Sequence, residues 1–398
     1  KIVGFTYNLY TQPTSEKLDQ SKVYDDEDIF ISNDAYEPTD LHPNIVIIMN
    51  EAFWNPKLLT GIEYNKNPIS NLESLMEEGI YGYMESPEFG GGTSNVEFEL
   101  LTGHSAHFYK EGYLIYPNDM VNRKTKNIAS ILKEQGYSAK AIHAYNGWYY
   151  SRDKVYKNFG FDEFLSKEVL DSAKTKGLYI SDEYVTDIII EELNKDKESS
   201  KFIFAVTMQN HGPYNDNRYN IYRDRIKVKG EIPKENRQII ETYTQGEYDA
   251  DKSLGKLTDF LREFDEPTIV LFFGDHLPIL GNNLKIYKEY GFYGEKVKGS
   301  YVKLYSVPFV LWSNYKNQSK DIGIINTSFM GPYLFKYAEL KLPPYFTFLD
   351  GLYSKISVIS RSYLIHRDGK VINWDSETYL KYNDIYKQYQ YKELLNDK

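Results

Sequence analysis

Cysteine is absent from the 398-residue sequence. That absence removes disulfides, thiolate metal sites and cysteine nucleophiles from consideration. No stretch reaches the ~18 apolar residues that span a bilayer, and no basic, apolar, small-residue succession marks a signal peptide. The chain starts at Lys1 and not at methionine, so the expectation is a processed product or excised fragment whose targeting signal lay elsewhere. Basic residues are outnumbered, 47 Lys and Arg against 57 Asp and Glu, for a net charge of −10 with no long basic cluster. Nucleic acid is therefore disfavoured as a partner, because phosphate backbones are gripped by clustered Lys and Arg. No internal repeat or low-complexity tract stands out.

What is present is ordinary for a folded chain: 41% hydrophobic and 26% charged residues. The length suits one large α/β domain with a small appendage. The 38 tyrosines are unusual, and suit a glycan- or membrane-facing surface as well as they suit a biased base composition.

Residues 1–43 are polar and irregular, with Pro13, Pro38, Pro43 and the acidic run Asp25 to Asp28, and read as a connector or wrapping segment. At Asn44 the pattern changes. Residues 44–50 form a continuous apolar run, as expected of a strand buried on both faces of a parallel sheet, with Glu51 at its C-terminal end. Further strands are expected at 138–144, 201–208, 268–273 and 306–312, and helices at 69–78, 93–101, 127–135, 182–195, 237–264 and 328–340. The alternation predicts an α/β fold over 44–345, a doubly wound sheet with helices on both faces. After Pro343 and Pro344, short alternating segments and a Tyr-rich helix predict a small C-terminal β-containing subdomain, 346–398.

The segment from Phe89 to Gly103 reads as a catalytic turn feeding a helix. Gly90, Gly91 and Gly92 let the backbone take positive φ and approach a ligand, and they deliver Thr93 to the start of the helix. Ser94 to Glu97 fits a capping box. A helix N-terminus favours anions; the plainer reading is a Gly-rich loop and an ordinary cap.

In open α/β sheets ligands collect at the C-terminal ends of strands. Three such ends carry reactive groups: Glu51, the run Asn210-His211-Gly212-Pro213, and Gly274-Asp275-His276. Two carboxylates, an imidazole and a threonine hydroxyl make a divalent-metal set of Glu51, Thr93, Asp275 and His276. Its oxygen-rich character favours Mn²⁺ or Mg²⁺, with Zn²⁺ as an alternative. Taken alone, an Asp-His pair after a strand is more often a loop anchor; the order and strand-end placement of all four carry the weight. Between them, at the end of the 138–144 strand, Arg152 offers a planar fork for an oxyanion. Trp148, Tyr149 and Tyr150 either frame a glycerol or sugar group or pack in the core. His42, His104, His107 and His366 fit no constellation and read as structural or surface residues.

With these motifs in place, the chain resembles the lipoteichoic acid synthase family, within the alkaline phosphatase and sulfatase superfamily. The likeness runs over roughly 44–345. It rests on Glu51 after a strand, on Gly92-Thr93-Ser94 followed by Glu97-Phe98, and on His143 with Arg152-Asp153 and the run Tyr156 to Asp162. Asn210-His211 and Gly274-Asp275-His276 complete it.

The resemblance implies a catalytic domain on the extracellular face of a Gram-positive membrane, normally tethered by transmembrane helices that this sequence lacks. It further implies Mn²⁺ on Glu51, Thr93, Asp275 and His276. Thr93 would attack phosphatidylglycerol, and a glycerol-phospho-threonine intermediate would pass glycerol phosphate to an acceptor hydroxyl. Arg152, His143 and His211 would stabilise phosphate oxygens or handle protons, and Asn146, Tyr150 and Trp148 would border the substrate.

Met49, Tyr145 and Tyr150 depart from the polymerising members, which tend to carry His, Asp and Trp there. The pattern is closer to relatives that decorate a cell-wall polysaccharide with single glycerol phosphate groups; lipoteichoic acid polymerisation, with a teichoic acid acceptor, is the rival. Sulfate ester hydrolysis is disfavoured because Thr93 is followed by Ser94-Asn95-Val96-Glu97 and not by a Cys/Ser-x-Pro-x-Arg frame. Other rivals are a phosphoethanolamine transferase, a wall-glycan-binding module on a degenerate enzyme fold, and a two-metal phosphatase in which His211 and Asp216 join a second site.

Overall fold

All seven residues of Asn44–Asn50 (β1) are buried, as the continuous apolar run requires. The structure is a computed structural model describing residues 37–172, 174–195 and 199–396. Most of the expected connector, 1–36, lies outside the described residues.

β1 sits inside an eight-stranded sheet. The other strands are Ile80–Glu85 (β2), Ser138–His143 (β3), Glu163–Ser166 (β4), Lys201–Val206 (β5), Thr268–Gly274 (β6), Ser306–Ser313 (β7) and Lys320–Asn326 (β8). Their order is β8-β2-β7-β6-β1-β5-β3-β4. β1 runs parallel to β6 and β5, and β3 parallel to β5 and β4; β7 is antiparallel to β6 and β2.

Side chains of β1 alternate between two cores: Ile45, Ile47 and Met49 enter one, Val46 and Ile48 the other. The first core is covered by Thr93–Thr102 (α2), Ile128–Glu134 (α3), Arg152–Phe159 (α4) and, further along the chain, Thr327–Tyr337 (α7). The second is covered by Ser70–Met76 (α1), Asp182–Asn194 (α5) and the latter part of Lys234–Arg262 (α6). This is the expected α/β architecture with helices on both faces. Asn127 caps α3 and Ser181 caps α5 through their side chains.

Three strands of this sheet escaped the sequence reading: β4, a four-residue strand at the sheet's margin, and β2 and β8, which both contain glycine. A Cβ on Gly82 would sit 2.2 Å from the Gly323 carbonyl oxygen, and β8 carries a register shift between Asp321 and Ile324. Glycine weakens a strand pattern in sequence; here it permits close backbone approach.

Beyond the sheet, Pro344–Tyr353 (α8) packs on α7, and Ile356–Ile359 (β9), Tyr363–His366 (β10) and Val371–Asn373 (β11) form an antiparallel sheet before Glu377–Asn396 (α9). α8 was not anticipated and runs across residue 345. α9 reaches back to the turn that ends α2: the Tyr386 hydroxyl donates to the Gly103 carbonyl at 2.7 Å, and Gln390 bonds both backbone groups of Ser105.

Candidate active site

Asn50 and Gly274 are partners in the parallel β1–β6 ladder, so Glu51 and Asp275 leave the sheet side by side. Gly274 must lack a side chain, since a Cβ there would lie 2.0 Å from the Phe53 carbonyl oxygen. Ala52 takes φ 54, a conformation uncommon for a residue with a side chain. That turn lets Ala52 N donate to Asp275 Oδ1 at 2.8 Å, where His276 N also donates at 2.8 Å. One carboxylate oxygen is thereby satisfied by backbone. The other, Oδ2, accepts from Thr93 Oγ1 at 2.8 Å and lies 3.2 Å from His276 Nε2.

Glu51, Asp275 and His276 each offer a ligand atom within 4.8 Å of the others, the only such grouping among the described residues. All three are buried, and Thr93 is 9% exposed. His276 Nδ1 faces the Leu277 carbonyl at 3.2 Å. A carbonyl only accepts, so Nδ1 carries the proton and the Nε2 lone pair points to the cluster. Burial raises the Glu51 carboxyl well above its usual range; the Asp275 and Asp182 charges add to this, and the Arg152 charge opposes it. Two crowded carboxylates, an imidazole lone pair and a hydroxyl fit a divalent cation with oxygen and nitrogen ligands.

Gly90, Gly91 and Gly92 take φ +70, +151 and +83, the positive values expected of this loop. α2 begins at Thr93, but its cap differs from the expectation. Gly92 is the N-cap residue, with no side-chain bond. Ser94 lies in the first turn with its hydroxyl buried and unpaired, and Glu97 turns elsewhere. The capping box is not formed.

Glu97 binds Arg152. The Arg152 Nε donates to Glu97 Oε1 at 2.9 Å, Nη2 donates to the same oxygen, and the Tyr156 hydroxyl donates to Oε2 at 2.6 Å. Arg152 is only 1% exposed. Arg152, read from the sequence as an oxyanion clamp, is thus a buried cation anchored to the helix that starts at Thr93. The Tyr150 ring centroid lies 5.1 Å from its guanidinium carbon, and Tyr150 and Ser151 both have positive φ, 57 and 60. Such backbone costs about 1–3 kcal/mol per residue and concentrates at functional sites.

His143 ends β3. Its Nδ1 donates to the Val206 carbonyl at 3.2 Å, so Nε2 is the unprotonated nitrogen that accepts from Arg152 Nη1 at 3.1 Å. Burial, and then the Arg152 charge, push its pKa well below the ordinary histidine value. His211 is partly exposed; its Nδ1 bonds the Gly212 carbonyl at 2.8 Å, which leaves its Nε2 lone pair available. Burial lowers its pKa, and the Asp275 charge works the other way.

Asn210 serves structure, donating to Glu247 Oε1 at 2.6 Å. It needs Gly246 opposite, because a Cβ there would fall 1.9 Å from Asn210 Oδ1. Asp216 does not join His211: Arg218 grips it through Nε at 2.8 Å and Nη2 at 2.7 Å. Trp148 and Tyr149 are not core residues, at 63% and 37% exposed, while Asn146 and Tyr150 are partly exposed beside them. Sequence reasoning missed the job of Glu97, although Thr93 and Glu97 at i and i+4 share a helix face. It also missed Ser86 and Thr207, whose hydroxyls bond the Asp275 carbonyl at 2.6 Å and the Glu51 N–H at 3.0 Å.

The sulfatase family model matches residues 43–340. Over 339 residues the chain is 37% identical to a Rhizobium meliloti protein named for cyclic beta-1,2-glucan modification, covering 83% of this chain and 51% of that one. Streptococcus pyogenes phosphoglycerol transferase GacH, solved with sn-glycerol-1-phosphate, superposes with TM-score 0.73 at 23% identity, covering 91% of this chain and 90% of that one. The lipoteichoic acid synthase LtaP of Listeria monocytogenes gives TM-score 0.72 at 19% identity, covering 94% and 97%. These two likenesses concern the fold. The chain spans about half the length of the curated relatives it matches first, 51% and 56%. No helix among the described residues is long and apolar enough to cross a membrane. A family model matching three-quarters of the sequence, over a sheet that carries the reactive groups at its strand ends, settles the kinship: the chain belongs to the sulfatase family, within the alkaline phosphatase superfamily.

Proposed function

We propose that this chain is the catalytic part of a metal-dependent phosphoglycerol transferase acting at the outer face of a cell membrane. Glycerol phosphate moves from phosphatidylglycerol, through a phospho-threonine at Thr93, to a hydroxyl of a cell-surface polysaccharide. The observation that carries this reading is the 2.8 Å bond from Thr93 Oγ1 to Asp275 Oδ2 at the N-terminus of α2. A relative named for glucan modification favours a glycan acceptor over polymerisation of lipoteichoic acid. The fold likeness to GacH supports glycerol phosphate as the group transferred.

Glu51, Asp275, His276 and Thr93 would hold the cation, Mn²⁺ by preference with Mg²⁺ or Zn²⁺ as alternatives. When bound it supplies Lewis acidity to the threonine hydroxyl and to the phosphoryl oxygens. Asp275 orients the hydroxyl. In the first half-reaction Thr93 Oγ1 bonds to phosphorus, the bond from phosphorus to the diacylglycerol oxygen breaks, and that oxygen takes up the proton. In the second, the acceptor oxygen bonds to phosphorus, Thr93 Oγ1 leaves, and the acceptor proton passes by way of His211 Nε2 to Thr93. Arg152, with its charge fixed by Glu97, and the N–H groups at the start of α2 offset negative charge on the phosphoryl oxygens. His143, held neutral, keeps the Arg152 fork in place.

The test is mass spectrometry of the manganese-loaded chain after incubation with phosphatidylglycerol. A glycerol phosphate adduct on Thr93, absent in Thr93→Ala, is the expected result. Stoichiometric metal without any adduct would remove phosphatidylglycerol as donor.

A further inference from the structure

From His211 to the surface runs a line of aromatic side chains, and the chemistry above uses none of them beyond His211 itself. His211 and Tyr179 have ring centroids 5.6 Å apart, Tyr179 and Tyr145 6.2 Å, Tyr145 and Tyr149 5.6 Å, and Tyr149 and Trp148 6.2 Å. Every step is edge-to-face, with interplanar angles of 67°, 72°, 89° and 76°. Exposure grows outward: His211, Tyr179 and Tyr145 are partly exposed, Tyr149 is 37% exposed and Trp148 63%. The segments that hold these rings follow β3, β4 and β5, at the same C-terminal end of the parallel strands as Glu51 and Asp275.

We propose that this aromatic line is the acceptor-binding track, and that its occupant is a neutral glycan whose sugar rings stack along Trp148, Tyr149, Tyr145 and Tyr179. The track delivers a sugar hydroxyl to His211. The inference rests on the phosphoglycerol-transfer reading and names the binding surface of its second substrate. Three features argue for it. Pyranose rings present faces of C–H groups with positive partial charge, which complement the negative faces of aromatic rings, while tyrosine hydroxyls remain to bond sugar hydroxyls. The line is continuous with the candidate site, since the Tyr179 hydroxyl lies 3.5 Å from His211 Nδ1. Its borders are polar: Lys167 sits 5.5 Å from the Tyr145 ring centroid, and Glu168 is held by Ser166 at 2.6 Å and by the Gly147 N–H at 3.1 Å. An anionic lipid surface is the competing occupant. It asks for clustered Lys and Arg, whereas the chain carries a net charge of −10.

The test reads binding directly, without turnover. Of the four tryptophans, Trp54 and Trp312 are buried, at 0% and 2% exposed, and Trp374, 45% exposed, lies after β11. In the Trp374→Phe chain Trp148 is therefore the reporter that solvent and ligand reach. Titration with neutral gluco-oligosaccharides of increasing length is expected to shift its emission saturably, with affinity rising with length. Tyr149→Ala in that background is expected to weaken binding at least tenfold, and Tyr179→Phe less. No response at any length overturns the proposal. So does a response to phosphatidylglycerol vesicles alone, which would make Trp148 a lipid-interface anchor. If the oligosaccharide response appears while Thr93 gains no adduct, the donor assignment falls and the glycan track stands.

Discussion

Glu97 and Arg152 are 0% and 1% exposed, so neither charge has water to fall back on. Removing one partner of such a pair typically costs about 3–5 kcal/mol, because the other stays buried and uncompensated. Glu97→Ala is therefore expected to lower the unfolding free energy, read from urea denaturation, by that amount and to slow adduct formation at Thr93, since the freed guanidinium also loosens its hold on His143. An Arg152→Lys chain keeps the charge and loses the fork; it should fold and yet form the adduct slowly. Unchanged adduct kinetics in Arg152→Lys would remove Arg152 from the phosphoryl site. At this scale the sequence disclosed residue types at strand ends and concealed their partners. The grouping of Glu51, Asp275 and His276 was legible because short motifs after apolar runs carry them, and the place of Thr93 because a glycine-rich turn precedes a periodic helix. The Glu97–Arg152 pair bridges 55 positions, and no local pattern announces a contact of that range.

The element on which the site turns is α2, constrained at both ends. At its start Gly92 has φ +83, and a Cβ there would meet Glu88 Cδ at 2.7 Å. Gly92→Ala forces a left-handed residue, at about 1–2 kcal/mol, and pushes on the loop that aims Thr93. The expected result is a modest loss of stability with a much larger loss of adduct formation, read by denaturation and mass spectrometry on the same preparation. At its far end the turn after α2 holds two imidazoles, His104 buried and His107 partly buried. His104 meets the Tyr345 hydroxyl at 3.0 Å and His107 meets Asn383 at 2.9 Å. Burial pushes both pKa values down to about 3. The folded form thus disfavours protonation that the unfolded chain accepts near pH 6.5. Their contribution is complete above pH 6.5 and is lost as pH falls from there towards 3. Urea midpoints should decline across that window, and less steeply in His107→Gln; equal slopes would exclude His107 as a contributor. The capping-box reading failed here for a physical reason: a glycine in left-handed conformation ends the loop by itself, which leaves Glu97 free for a distant partner.

Across the whole molecule the sheet was readable where both faces are covered, and unreadable where glycine interrupts the pattern or, as in β4, where a four-residue edge strand is partly exposed. β1, β5, β6 and β7 are buried along their length, and each stands out as an apolar run. β2 and β8 meet through Gly82 and Gly323, so the cue to their pairing is a missing side chain. The assembly brings two carboxylates together because parallel β1 and β6 end in register. That arrangement predicts how the fold responds to metal. Burial and the Asp275 charge raise the Glu51 pKa well above 4.5. A carboxyl raised in the folded state contributes stability below its unfolded value, and that contribution is lost as pH climbs through the folded value. The metal-free chain is therefore progressively penalised above pH 4.5 at this site. A divalent cation replaces the proton and reverses the penalty, so its affinity rises with pH. At a free Mn²⁺ concentration a hundred times Kd the gain is about 2.7 kcal/mol. Thermal denaturation with and without Mn²⁺ is expected to show a stabilisation that grows from pH 5 to pH 8 and disappears in Asp275→Ala. A stabilisation independent of pH would mean that no proton leaves on binding, and would take Glu51 out of the ligand set.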